Sequence, residues 1–381
     1  MQKKLIAVAI AGLAAVPAFA ADTSVTLYGL IDMGASWRGN NYDNATAART
    51  GVDSGQMNGS RLGVRGSEEI MPGLKANFRF EAGIAADIGG SNQGTVSTGQ
   101  KTTKVCTNAA CTTTANAVTT EQTTNQRVWG RASWVGLQGD YAEMRLGRMY
   151  TPKFNMYADN IDPFGLGSVA ETNNIFTHIV ARADNAVYVT TPFFGNVFAV
   201  EAMYSTKTSG DEAAANAGDT RLIDIQPKLK FGPATFFVDY TQQNVHNATT
   251  KKGSVDAGVA ADFKVVKATL AYARVKDETV AKVNGSTRGW DRWNVAGTVP
   301  MGNLSLLAQY SYSKDRNSLK EKAEQIGFGG LYSLSKRTTV YSVYSKINTD
   351  PSVKSGYEVA DATNSGNGYR AGFNLGVRHT F

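Results

Sequence analysis

Charged side chains recur in this 381-residue chain at even spacings: Arg61 with Arg65, then Lys75, Arg79 and Glu81, with Arg131, Arg148 and Arg182 further along. In a β-strand, residues two apart share a face, so each group would present its charges to one side. A guanidinium is cationic at any physiological pH and offers five N–H donors, which suits it to attracting anions and ordering polar molecules. Bond-breaking chemistry asks for more. A nucleophile needs a positioned base, and the histidines are only His178, His246 and His379, the last with neither a serine nor a carboxylate on its own strand face. Gly-x-Ser-x-Gly, His-Glu-x-x-His, phosphate-loop and zinc spacings do not occur. These residues predict a protein that is not an enzyme and holds no metal and no cofactor.

A second set of charges lies in the polar stretch 151–181, where Asp159, Asp162 and Glu171 accompany a turn at Pro163-Phe164-Gly165. On their own they read equally well as a solvated surface. Cys106 and Cys111 sit in another polar stretch with no histidine or further cysteine nearby. A small loop disulfide is expected in an exported chain, with two free thiols as the alternative. The net charge of +7 is spread out, without a run of basic residues, which argues against nucleic acid as a partner.

Something must position these side chains, and the order of the chain suggests what. Met1-Gln2-Lys3-Lys4, the apolar run to Val16 and the small residues of Ala18-Phe19-Ala20 predict a secretory signal peptide over residues 1–20, cleaved after Ala20. That run is short of the roughly 20 apolar residues a membrane helix requires. One domain, residues 21–381, is expected to follow. The whole chain's mean hydropathy of -0.26 excludes a helical membrane protein, and amphipathic helical spacing is scarce, while two-residue alternation is everywhere. From Val25 to Arg38, odd positions are apolar or small and even positions include Thr26, Asp32, Ser36 and Arg38. The final segment repeats this, with Ala371, Phe373, Leu375, Val377 and Phe381 opposed to Arg370, Asn374, Arg378 and Thr380. Closed barrels hide such an apolar face inside an ordinary average hydropathy.

Turn signals at Met71-Pro72-Gly73, Gln138-Gly139-Asp140, Phe194-Gly195-Asn196, Phe231-Gly232-Pro233, Phe263-Lys264-Val265, Met301-Gly302-Asn303 and Ser333 to Lys336 predict seven hairpins. With the first and last strands they make an all-β, sixteen-stranded antiparallel transmembrane barrel. The other connections are long and polar: 39–57, 84–126, 151–181, 207–220, 244–252, 276–288, 314–319 and 348–368. Short turns on one rim and long loops on the other are an outer-membrane signature. Aromatics such as Trp37, Trp129, Trp134, Trp290, Trp293 and Tyr341 fall toward strand ends, as two interfacial girdles would require. Parity sends Arg61 and Arg65 inward, along with Lys75, Asn77, Arg79 and Glu81. It sends Ala132 and Trp134 outward, leaving Arg131 inward, while Arg148 conflicts with Met144 and Leu146.

The segments Ser24 to Asp32, Gly59 to Glu69, Val135-Gly136-Leu137, Leu146-Gly147-Arg148, Arg182 to Tyr188 with Pro192, and Gly376 to Phe381 together resemble the general porins of β-proteobacteria. The resemblance spans the chain after the leader. It implies a passive outer-membrane diffusion channel for small hydrophilic solutes and ions, assembled as a homotrimer among outer-membrane lipids and lipopolysaccharide. It also implies an inward-folded third loop, and Phe381 as part of the signal read by the barrel-assembly machinery. On this basis acidic Asp159, Asp162 and Glu171 face a basic wall of Arg61, Arg79, Arg131, Arg148 and Arg182, with Glu81 also pore-lining and anions preferred. The rival readings are a substrate-specific channel and a plugged barrel serving as adhesin or anchor. The long loop 84–126 with its cysteine pair departs from the family pattern.

Overall fold

The computed structural model describes residues 23–39, 48–91, 94–102, 118–208, 220–245, 250–279, 287–316, 321–350 and 369–381. The predicted leader and the Cys106–Cys111 pair lie outside the described residues. The first half contains β1 (Ser24–Gly39), β2 (Arg49–Ser54), β3 (Arg61–Met71), β4 (Leu74–Ala85), β5 (Gly90–Ser91), β6 (Gly94–Thr102), β7 (Val118–Gln126), β8 (Ala132–Gln138), β9 (Glu143–Tyr150) and β10 (Arg182–Thr190). Ten more follow: β11 (Phe198–Ser205), β12 (Thr220–Phe231), β13 (Ala234–Val245), β14 (Lys251–Asp262), β15 (Lys267–Asp277), β16 (Arg288–Met301), β17 (Leu304–Asp315), β18 (Lys322–Ser333), β19 (Thr338–Thr349) and β20 (Ala371–Thr380).

Seventeen of these form one sixteen-stranded antiparallel barrel, β2 and β3 being two pieces of its second strand; neighbours pair in sequence order and the barrel closes where β1 pairs with β20 from Leu30↔Thr380 to Gly39↔Ala371. Closure pairs the backbone groups that a sheet edge would expose to lipid. Alternation is maintained along the strands. On β1, Val25, Leu27, Ile31 and Trp37 are exposed on the outer face while Asp32, Ser36 and Arg38 are buried within. On β20, Phe373, Leu375 and Val377 face out and Asn374 in. All seven predicted turns join the strand pairs expected of them.

The second barrel strand departs from the sequence reading, because it is broken. β2 lies in the expected loop 39–57 and pairs with the upper part of β1, Met33↔Ser54 to Arg38↔Arg49, and β3 pairs with the lower part. Between them residues 55–60 are held inward: Asp32 accepts the backbone N–H groups of Met57 (3.2 Å) and Asn58 (2.7 Å) and the Tyr341 hydroxyl. The expected loop 84–126 contains β5 and the β6–β7 hairpin.

Three expected girdle aromatics belong instead to the inner face. Tyr341 is buried against Asp32, Trp290 lies beneath Arg288 and Arg292, and Trp134 beneath Arg145 (4.7 Å). On β8 the outer face is carried by Val135 and Leu137, so Ala132 and Trp134 point inward, opposite to the expected parity. Polar Ser133 shares the outer face near the rim, which reverses the local polarity signal.

The main apolar core lies inside the barrel. Residues 151–181 fold inward and bury Met156, Tyr157, Ile161, Phe164, Ile175 and Phe176 against Ala271, Ala273, Ala323, Val343 and Ile347 of the wall. Each such large side chain removed from water contributes about 1.5–3 kcal/mol. The wall makes room with small residues. A Cβ at Gly327 would lie 2.7 Å from that of Ala170, and one at Gly329 would lie 2.9 Å from the Phe164 ring.

Candidate functional site: the charged constriction

Glu81, fully buried on the inner face of β4, collects the first arginines. It receives Arg79 at 2.5 Å, Arg131 Nε at 2.7 Å and the Tyr28 hydroxyl at 2.7 Å, with Arg61 at 3.9 Å. Arg131 precedes β8 and is drawn in by its own backbone N–H, which donates to Glu81 O (3.0 Å). Its guanidinium reaches on to the Tyr150 hydroxyl (2.5 Å), which Arg182 also contacts at 2.7 Å. The Arg182 guanidinium lies 4.4 Å from the Tyr150 ring centroid, and its buried Nε has no acceptor among the described residues. Arg61, Arg79 and Arg131 therefore share a single carboxylate, and Arg182 joins them through the Tyr150 hydroxyl. Such an excess of like charge at low dielectric attracts counter-ions strongly.

Arg148 does not join them. It pairs in register with Ser133, sharing the outer face of Leu146 and Val135, and is bonded to Asp184 and to Gly130 O (2.7 Å). The parity conflict noted in the sequence marks this outward position.

The inward loop starts at Thr151, whose Oγ1 accepts the Phe154 N–H (3.1 Å) to cap a short helix, Pro152–Met156, with proline in its first turn. Phe154 stacks on Tyr150 at 4.6 Å and 8°, joining the loop root to the arginine wall. Lys153, almost wholly buried, reaches the opposite wall, 2.7 Å from Asp256 and 3.1 Å from Asp239. Asp256 also accepts the Tyr157 hydroxyl (2.8 Å) and meets His178 Nε2 (2.8 Å). Arg292 donates to His178 Nδ1 (2.7 Å), so the neutral Nε2–H tautomer faces Asp256. Burial pushes His178 down to about 3, with Lys153 and Arg292 adding to the effect against the pull of Asp256.

The three loop acids part company. Asp162 turns into the loop, accepting the N–H groups of Phe164 (2.7 Å), Thr172 (2.7 Å) and Leu166 (3.3 Å), and burial raises it to about 6 against those bonds. It is a turn-stabilising residue, contrary to its expected place on the pore surface. Asp159 is exposed and Glu171 half-exposed toward the lumen. Enclosure by the barrel raises both; the neighbouring Asp162 carboxylate adds to the rise of Glu171, to about 8.

The sequence reading missed the anchoring set Lys153, Tyr157, Asp239, Asp256 and Arg292, and weighed His178 only as a catalyst. Asp239 and Asp256 are direct register partners, so paired inward acids on adjacent strands were the available signal. The tip of the loop meets the inward segment 55–60: a Cβ on Gly167 would overlap Met57 O. Below the constriction, Arg145 bonds Glu143 (2.6 Å) between Trp134 and Tyr188, and Arg65 lies 5.4 Å from the Tyr28 ring centroid.

A closed antiparallel barrel with an apolar exterior, a charged interior and a loop folded into its lumen defines a β-barrel membrane channel. Comparison with known proteins gives the family. The chain matches the Gram-negative porin family over residues 7–352 and belongs to it. It is 31% identical over 335 residues to an outer membrane porin protein of Bordetella pertussis, covering 80% of this chain and 75% of that protein. Outer membrane porin protein 32 of Delftia acidovorans is 26% identical over the whole length of both chains. Among solved structures, an anion-selective porin from Comamonas acidovorans shares the fold with a TM-score of 0.70 at 23% identity, over 94% of this chain and 100% of that one. The protein is an outer-membrane porin, a passive channel.

Proposed function

We propose that this porin favours anions among the small hydrophilic solutes and ions it passes. The observation that carries the reading is the gathering of four guanidiniums around Glu81 and Tyr150, with the buried Arg182 Nε lacking an acceptor among the described residues. A passing anion supplies that acceptor, and the excess positive charge repels cations. Anion selectivity in the Comamonas acidovorans porin of like fold supports the reading.

The working unit is a homotrimer in contact with outer-membrane lipids and lipopolysaccharide. Its chains are exported by a leader removed after Ala20 and delivered to the barrel-assembly machinery through Phe381. The Phe381 backbone pairs with Gly29 (3.0 and 3.1 Å). Its activity is permeation without catalysis. Single-channel recording in a planar bilayer under a salt gradient tests the central claim: stable triplet steps with an anion-leaning reversal potential are expected. A cation-leaning reversal overturns the preference, and a correctly folded barrel without steady conductance overturns the open channel in favour of a plugged one.

A further inference from the structure

On the outer face of β15 to β18, one cross-strand row reads Arg274, Asp291, Lys314 and Lys322, each the register partner of the next. It lies toward the strand ends that carry the long loops. Asp291 binds Arg274 Nε (2.9 Å) and the Tyr272 hydroxyl (2.6 Å) and lies 3.7 Å from Arg316, so one carboxylate arranges two guanidiniums. Both guanidiniums stay about half exposed, at 55% and 45%. Lys314 and Lys322 are directly opposed, which is unfavourable for like charges, and neither ammonium has an ion-pair partner among the described residues. The next row down is Tyr272, Trp293, Tyr312 and Glu324, followed by Leu270 and Val295. Cations thus stand above an aromatic row, ended by the single carboxylate of Glu324, and an apolar band, on a surface that faces the membrane.

We infer that this patch binds a phosphate-bearing lipid of the leaflet on the loop side, the phosphates among Arg274, Arg316, Lys314 and Lys322 and the acyl chains along the rows below. The inference rests on the proposed contact with outer-membrane lipids and gives that contact a place. A phosphate supplies the anion that the opposed lysines lack, and each basic residue near a lipid surface adds to the attraction. Aromatic side chains at this level match the interface where headgroup meets acyl chain.

The test measures binding of a bisphosphorylated lipid A to the full-length protein purified folded from membranes, with the dephosphorylated lipid and inorganic phosphate as comparisons. The wild type is expected to prefer the phosphorylated lipid, and excess inorganic phosphate to displace it poorly. Arg274→Gln with Arg316→Gln, and Lys314→Gln with Lys322→Gln, should each weaken binding about tenfold and leave conductance unchanged, since the lumen is untouched. Arg274→Lys with Arg316→Lys, which keeps charge and guards against a folding defect, should bind within about twofold of wild type. Unchanged affinity in the Gln variants beside a phosphate-preferring wild type overturns the site alone. A wild type indifferent to phosphate overturns the lipid contact as well, and ready displacement by inorganic phosphate reveals a free-anion site instead.

Discussion

Lys153 and His178, from the two ends of the inward loop, meet on one carboxylate: Asp256 lies 2.7 Å from Lys153 Nζ and 2.8 Å from His178 Nε2. The loop is thereby closed on itself through the barrel wall. Asp256→Ala leaves Lys153 buried beside Asp239 and Asp224 without its nearest carboxylate, and losing one partner of a buried pair costs up to about 3–5 kcal/mol. We expect a lower unfolding temperature, together with larger and noisier single-channel steps as the loop leaves its seat. Quiet, wild-type steps would show that the apolar contacts hold the loop unaided.

His178 makes that anchor sensitive to acid. Its imidazole titrates near 3 in the folded protein and near 6.5 in the unfolded chain, so between these values the unfolded state binds more protons. Its contribution to stability is complete above about 6.5 and is lost as pH falls toward 3. Thermal unfolding followed across this window should show a shallower pH slope in His178→Gln than in the wild type.

Glu81 and Arg131 should move selectivity in opposite directions. Glu81→Gln removes the carboxylate shared by Arg61, Arg79 and Arg131, so reversal potentials should shift further toward anions. Arg131→Glu exchanges a cation for an anion at the same place and should shift them toward cations, each by several-fold in permeability ratio. Arg148→Gln, on the outer face, should leave the ratio alone.

Glu171 predicts a second pH effect, at the alkaline end. Enclosure and the adjacent Asp162 hold it near 8, so it gains its charge as pH rises from 7 to 9. Anion preference should decline over that range, and Glu171→Gln should abolish the decline. Reversal potentials at a fixed salt gradient read this directly.

The seat of the loop can be filled from the wall side. Gly327→Val would drive a branched side chain into Ala170 and Phe164, and overpacking of this kind costs about 1–3 kcal/mol. Conductance should become heterogeneous while the barrel still resists detergent; a uniform wild-type conductance would mean that the wall yields instead.

The barrel was legible because its signal is repeated on every strand: Val25, Leu27 and Ile31 against Asp32 on β1 follow the same rule as Phe373 and Leu375 against Asn374 on β20. Turn chemistry then set the strand count. The inner site was legible only where parity was clean, as at Arg79 and Glu81. It failed at Trp134, where an aromatic serves as a platform for Arg145 rather than as an interfacial anchor, and at Asp162, whose carboxylate caps its own turn. The break between β2 and β3 left no alternation error to detect, since it depends on Asp32, Met57 and Tyr341 meeting from distant parts of the chain.

The alanines and glycines beneath the loop divide the barrel into two halves with separate duties. One half is dry and given over to holding the loop; the other, formed by β3, β4 and the strands next to them, is left to the traffic. On the proposed reading, solutes travel a single lane whose kerb is lined with arginine. Substitutions along that strip can redraw what the channel admits without disturbing the scaffold that keeps the lane open.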